Sequence, residues 1–286
     1  MNEIYGAIIG DVVGSTYETD EMNAHKKAMI VPFSQRIKVM KCDLLSLFKD
    51  GCEITDDSIL TVAVANAILT NMGYEENLKK FGLDEIDYGV DKYGRSRFGK
   101  NFTSWIKGES DQHSYGNGCA MRVSPVGLAF DTLQETLIQA EKSAKPTHDM
   151  PDCIKLTRAT AGAIFLARNG KTKKEIKKFV EQEIGFELNF NINDLRHHYI
   201  FSAKAINSIP QALFCFLKSK SFEDCLKLTI SIGGDADTTA AISCAIAAAF
   251  YGIPQTFLNE VKKYLPKKYL QICEKFNQKY GKNSKN

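Results

Sequence analysis

Apolar residues recur along most of the chain at the three-to-four-residue spacing of amphipathic helices, and runs of alternating β-branched residues are scarce. Over residues 54–69, Ile59, Val62, Ala63 and Asn66 share a helical face. Thr55 stands where an N-cap is needed, and Asp56 and Asp57 fill the first turn. The stretches 132–143, 152–169 and 172–184 carry the same period, and Thr172 with Glu175 spells a capping box. A further helix is expected over 199–218, kinked or split at Pro210. Thr238 to Phe250 is almost pure helix former. The wider stretch Thr238 to Phe257 is nearly uncharged but broken by Gly252 and Pro254, so it reads as a core helix and not a membrane span. In the basic C-terminal stretch 262–285, lysines alternate with Tyr269, Leu270, Ile272 and Phe276, which predicts an amphipathic helix and a frayed tail. There is no internal repeat, low-complexity segment or linker. The expected fold is all-α, one domain of many short helices spanning 1–286.

Composition narrows the picture only slightly. A net charge of +3 is too small to argue for nucleic acid or an acidic membrane surface. The eight cysteines include no Cys-x-x-Cys pair and no histidine at zinc spacing, which fits a reduced, cytoplasmic setting. The first residues lack a basic leader, so no signal peptide is expected.

Candidate chemistry lies in the loops at helix boundaries. Thr55-Asp56-Asp57-Ser58 alone is explained by capping and by acids at the positive end of a helix. Gly233-Gly234-Asp235-Ala236-Asp237-Thr238 exceeds capping needs. Two carboxylates and a hydroxyl converge at the mouth of a helix that must be deeply buried, with no Lys or Arg close in sequence to neutralise them. An oxygen-only donor set selects a hard cation, Mg²⁺ or Mn²⁺, over zinc. Gly6, Gly10 and Gly14 lie on one face of a first helix and predict close packing against another backbone. Glu18 is then expected to emerge at that helix's end, beside a site. Gly116-Asn117-Gly118 is either an anion-cradling loop or an irregular turn, and it lacks the Gly-Lys-Ser/Thr ending of a P-loop. Thr147-His148 is either structural or part of a site. His197-His198 reads as an exposed pair near a helix start.

In order along the chain, these segments resemble the ADP-ribosylglycohydrolase family. Residues 6–18 look like its first helix and following acid, Thr55 to Ser58 like its first metal motif, and Gly116 to Gly127 like its Gly-Asn-Gly-x-x-Met-Arg loop. Thr147-His148 looks like its Thr-His step, and Gly233 to Thr238 like its second metal motif. The resemblance implies a binuclear Mg²⁺ cleft held by Thr55, Asp56, Asp57, Asp235, Asp237 and Thr238, with Glu18 as a movable acid. It implies substrate contacts from Gly116, Asn117, Gly118, Met121 and His148, with Asp56 or Glu18 activating water. The implied activity is hydrolysis of the bond between ADP-ribose and a modified protein side chain or small molecule, by a monomer that needs neither nucleic acid nor membrane. A catalytically silent ADP-ribose-binding module and a Mg²⁺-dependent nucleotide phosphohydrolase are the alternatives. The stretch 71–113 is more individual. Within it Trp105 is expected in the core, whereas Tyr93 and Phe98 could stack on adenine or pack inside.

Overall fold

The computed structural model describes residues 2–43, 45–87 and 96–281; Tyr93 and the final five residues lie outside them. Helices account for the fold, and no strand occurs among the described residues. In chain order they are α1 (Tyr5–Lys26), α2 (Phe33–Arg36), α3 (Asp56–Thr70), α4 (Tyr74–Asp87), α5 (Lys100–Ile106), α6 (Gly118–Met121), α7 (Ser124–Ala129) and α8 (Leu133–Ala144). Then follow α9 (Pro151–Arg168), α10 (Lys173–Ile184), α11 (Ile192–His198), α12 (Ala205–Lys218), α13 (Phe222–Ile232), α14 (Ala236–Tyr251), α15 (Gln255–Val261) and α16 (Lys267–Tyr280).

The centre of the molecule is α14, buried at every residue from Ala236 to Ala248. Its alanines leave it thin, so neighbours can approach its backbone. The closest is α1, which lies on it through the glycine face read from the sequence. A Cβ added at Gly10 would stand 2.2 Å from the carbonyl oxygen of Ala240, and one at Gly14 would stand 2.4 Å from Cα of Asp237. Each glycine costs α1 about 1 kcal/mol of helix propensity relative to alanine. Direct backbone contact between the two helices offsets it. Helix α9, rich in buried alanine, packs another side of α14. Helix α3, buried from Asp57 through Ala65, adjoins α1. The first turns of α3 and α14 therefore arrive at the same end of the core, flanked by the middle of α1.

Local signals behave as expected at most boundaries. Thr55 accepts the Asp57 N–H as the cap of α3, and Thr172 with Glu175 forms the capping box of α10. On α16, Tyr269, Cys273 and Phe276 are buried, four and three residues apart. Three expectations are corrected. Helix α1 does not end near Glu18 but continues to Lys26, tied down by a buried ion pair between Glu21 and Arg36 at 2.7 Å. Residues 199–204 are not helical, because they pair with another loop. Asn117 N–H donates to the Ala203 carbonyl, and Ala205 N–H to that of Tyr115, both at 2.9 Å. Helix α12 therefore starts only at Ala205, and it runs through Pro210. His197 and His198 are exposed but close the last turn of α11, where a basic group complements the helix dipole. Trp105 is in the core, 5% exposed, against Phe102. All eight cysteines are free thiols, and no described helix is long and apolar enough to cross a membrane.

Candidate functional site

The first motif is held by a residue that the sequence reading passed over. Asp11, fully buried on α1, accepts hydrogen bonds from Thr55 N at 3.0 Å, Thr55 Oγ1 at 2.7 Å and Ser58 N at 3.1 Å, and a further one from Ser58 Oγ. One carboxylate thus satisfies orphan donors at the start of α3 and fixes the Thr55 side chain. The signal was present in the sequence. Asp11 interrupts the apolar run Ile8-Ile9-Gly10-Asp11-Val12-Val13, and a carboxylate on a core-facing helix needs partners.

The second motif turns on Gly233 and Gly234, with φ of 76° and 80°, a region that favours glycine. A Cβ on Gly233 would meet Glu21 and Arg36, and one on Gly234 would meet Tyr199. This tight turn leads directly into α14 and sets its two acids facing α3. Asp235 accepts from Asn117 Nδ2 at 2.7 Å, and that amide also donates to Ser208 Oγ at 3.1 Å. Asp237 accepts the Thr238 N–H at 2.8 Å. Thr238 Oγ1 in turn donates to Asp57 Oδ2 at 3.2 Å, joining the two motifs directly.

Two groups of carboxylates result, Asp11 with Asp57 and Asp237, and Glu18 with Asp235 and Asp237. In each, one oxygen per residue lies within 4.8 Å of the others. Asp237 belongs to both. Asp57 Oδ1 is buried and has no hydrogen-bond partner among the described residues. Burial raises the carboxyls of Asp11, Asp56, Asp57, Asp235 and Asp237, and mutual repulsion adds to it for Asp56, Asp57 and Asp237. Asp11 is pushed up to about 6 and Asp56 to about 7, Asp235 is raised, and Asp57 and Asp237 stand well above the usual range. An unsatisfied buried oxygen among converging carboxylates fits a hard divalent cation, which would supply the missing partner and reverse the repulsion.

Above the acids opens a cleft of about 660 Å³, a volume suited to a nucleotide-sized ligand. Glu18, Asp56, Asp57, Asp235, Asp237 and Thr238 line its floor. Thr55, Gly116, Asn117, Gly118, Met121 and His148 also face it, so every site residue expected from the sequence borders one cavity. Their local roles differ. Asn117 is turned toward Asp235 and orients it. The Gly116 and Asn117 N–H groups are already engaged by Ser114 Oγ and the Ala203 carbonyl, which leaves the Gly118 N–H for a ligand. Met121 approaches Thr238, its sulfur 4.0 Å from Oγ1. Phe98, 4% exposed, packs on Phe102, and both rings form apolar wall, joined by Phe201 and Met22 from elsewhere in the chain. Phe201 and Met22 were not singled out from the sequence, because only the folded loop 199–204 brings Phe201 to α1.

Comparison with known proteins places the chain in a family and a fold. Residues 3–286 match the model of the ADP-ribosylglycohydrolase family. The chain is 25% identical to mouse ADP-ribosylhydrolase ARH3 over an alignment of 336 positions, covering 96% of this chain and 86% of the relative. It is 26% identical to the ADP-ribosyl-[dinitrogen reductase] glycohydrolase of Rhodospirillum rubrum, covering 88% and 85%. A solved ADP-ribosylglycohydrolase-related protein complex shares the fold, with a TM-score of 0.68 at 19% identity, covering 98% of this chain and 96% of that one. With a match that spans nearly its whole length, the chain belongs to the ADP-ribosylglycohydrolase family.

Proposed function

We propose that this protein is a Mg²⁺-dependent hydrolase that cleaves the glycosidic bond between ADP-ribose and a modified target. The observation that carries the reading is the pair of carboxylate groups sharing Asp237 at the floor of a nucleotide-sized cleft, with Asp57 Oδ1 left without a partner among the described residues. The relatives named as ADP-ribosylhydrolases supply the substrate class. Thr55, Asp56, Asp57, Asp235, Asp237 and Thr238 would hold two cations, with Glu18 as a movable acid beside them and Asp11 fixing Thr55 from behind. Bound there, Mg²⁺ would neutralise the acids and hold the hydroxyls of the substrate ribose.

The remaining work falls to the chain's own groups. Asp56 lines the cleft at the edge of the acid cluster, which makes it one candidate for the base that takes a proton from water. Water oxygen then bonds to the anomeric carbon, the bond to the target breaks, and the leaving atom takes up a proton. Glu18, reached from the middle of α1, is the other candidate for this step. The Gly118 N–H and His148 would receive the diphosphate, and the walls at Phe98, Phe102 and Phe201 would exclude water from the adenosine end. The experiment is a panel of arginine-, serine- and carboxylate-linked ADP-ribosyl peptides with and without Mg²⁺. Release of ADP-ribose from at least one, abolished by EDTA, is the expected result. No release from any, or phosphate release instead, would refute the reading.

A further inference from the structure

His148 carries a second layer of organisation behind it. Arg122, Thr147 and His148 are all buried, at 1%, 0% and 4% exposed. Arg122 Nη2 lies 2.6 Å from Thr147 Oγ1, and that oxygen lies 2.7 Å from His148 Nδ1. A guanidinium has donors only, so Thr147 Oγ1 accepts from Arg122. The hydroxyl proton then has two destinations. One is the Ala144 carbonyl at 3.5 Å, beyond the usual O–H···O range; the other is His148 Nδ1 at 2.7 Å, within it. The shorter contact makes Nδ1 an acceptor. Burial, and then the neighbouring Arg122 charge, keep the imidazole well below its ordinary value, so the ring carries a single proton at neutral pH. With Nδ1 accepting, that proton sits on Nε2.

Nε2 faces the loop that borders the cleft. A Cβ on Gly116 or on Gly118 would stand 3.5 Å from it, so the two glycines leave its approach open. It has no hydrogen-bond partner among the described residues, while His148 itself lines the cavity. We infer that Arg122 and Thr147 are positioning residues that lock His148 in the Nε2–H tautomer, making it a fixed hydrogen-bond donor to an anionic oxygen in the cleft. The inference rests on the proposed function for the identity of that oxygen, since the diphosphate is the anionic part of an ADP-ribosyl substrate. A neutral donor is useful there. It gives a directional bond to the diphosphate while adding no second buried cation beside Arg122.

The test separates the relay from the function. Nitrogen-15 NMR of histidine-labelled full-length protein distinguishes the protonated ring nitrogen from the bare one. The His148 signals among the five histidines are assigned by their loss in His148→Gln. The wild type should carry its proton on Nε2 at pH 7, Thr147→Ser should keep it there, and Thr147→Val should give a mixture of tautomers. Calorimetry in Mg²⁺ should show ADP-ribose binding about tenfold weaker or more in Thr147→Val, restored in Thr147→Ser, with adenosine binding unchanged in both. A wild-type proton on Nδ1, a doubly protonated ring, or a tautomer indifferent to Thr147→Val would overturn the relay. An Nε2–H tautomer in a protein that binds no ADP-ribose would leave the relay standing and remove the proposed function instead.

Discussion

Thr238 Oγ1 donates a hydrogen bond to Asp57 Oδ2 at 3.2 Å, linking residues 181 positions apart. Each belongs to the first turn of a buried helix, and each first turn alone would pass for ordinary capping. The bond makes the two turns one site. Replacing Thr238 by Val keeps the shape and removes the donor, so Asp57 Oδ2 keeps only the longer contact from Thr55 Oγ1 at 3.4 Å, while Oδ1 has no partner among the described residues. We expect Thr238→Val to weaken Mg²⁺ binding by about tenfold or more, with activity partly recovered at high Mg²⁺. Isothermal titration with Mg²⁺ checks it, and wild-type affinity would speak against a shared site.

Asp11 has a different role from the other acids, because its two oxygens are already engaged by Thr55 and Ser58. Asp11→Asn turns one acceptor oxygen into a donor facing other donors in a fully buried place. The expected loss is about 2–4 kcal/mol of stability, read by urea unfolding of the metal-free protein. A change below about 0.5 kcal/mol would show that the start of α3 does not depend on this carboxylate.

Gly10→Ala pits two effects against each other. Alanine gains about 1 kcal/mol in a helix, but its Cβ would meet the Ala240 carbonyl oxygen at 2.2 Å. The clash is with backbone, which cannot rotate away, so the substitution should be destabilising by about 1–3 kcal/mol net. A drop in thermal midpoint of several degrees is expected, and an unchanged or higher midpoint would contradict the close approach of α1 to α14.

Metal removal should expose a pH dependence of definite sign. Asp11 and Asp56 are raised to about 6 and about 7 in the folded chain, and Asp57, Asp235 and Asp237 are raised as well, whereas in the unfolded chain they titrate near ordinary carboxylate values. Between the two ranges the folded state binds more protons, so stability falls as pH rises from about 4 to about 7. In EDTA the midpoint should therefore be higher at pH 5 than at pH 8. Adding Mg²⁺ should raise the pH 8 midpoint more than the pH 5 midpoint. Equal shifts at both pH values would mean that these carboxylates do not repel one another in the folded chain.

Much of this site was legible in the residues themselves. The glycine face of α1, the Thr55 cap and the uncharged helix behind Asp235 each state a local physical requirement, and each was met. What sequence spacing could not show was the consequence of packing α1 against α14. That packing brings Asp11 and Glu18, two turns apart on one helix, to the acids of two others. Glu18 was read at a helix end because nothing local announces the Glu21–Arg36 pair that prolongs α1. The helical reading of 199–204 failed for a similar reason. Its backbone groups pair with Tyr115 and Asn117, partners more than eighty residues away, and no periodicity encodes them.

We propose that two separated Asp motifs form one metal-dependent catalytic site. Its most direct measurement is ADP-ribose release from the peptide panel by the wild type and Asp235→Asn, in Mg²⁺ and in EDTA. A shared metal site should give release by the wild type in Mg²⁺, a fall of at least about a hundredfold in Asp235→Asn, and near-complete loss in EDTA that Mg²⁺ restores. Wild-type release that survives EDTA, or that Asp235→Asn leaves unchanged, would contradict it.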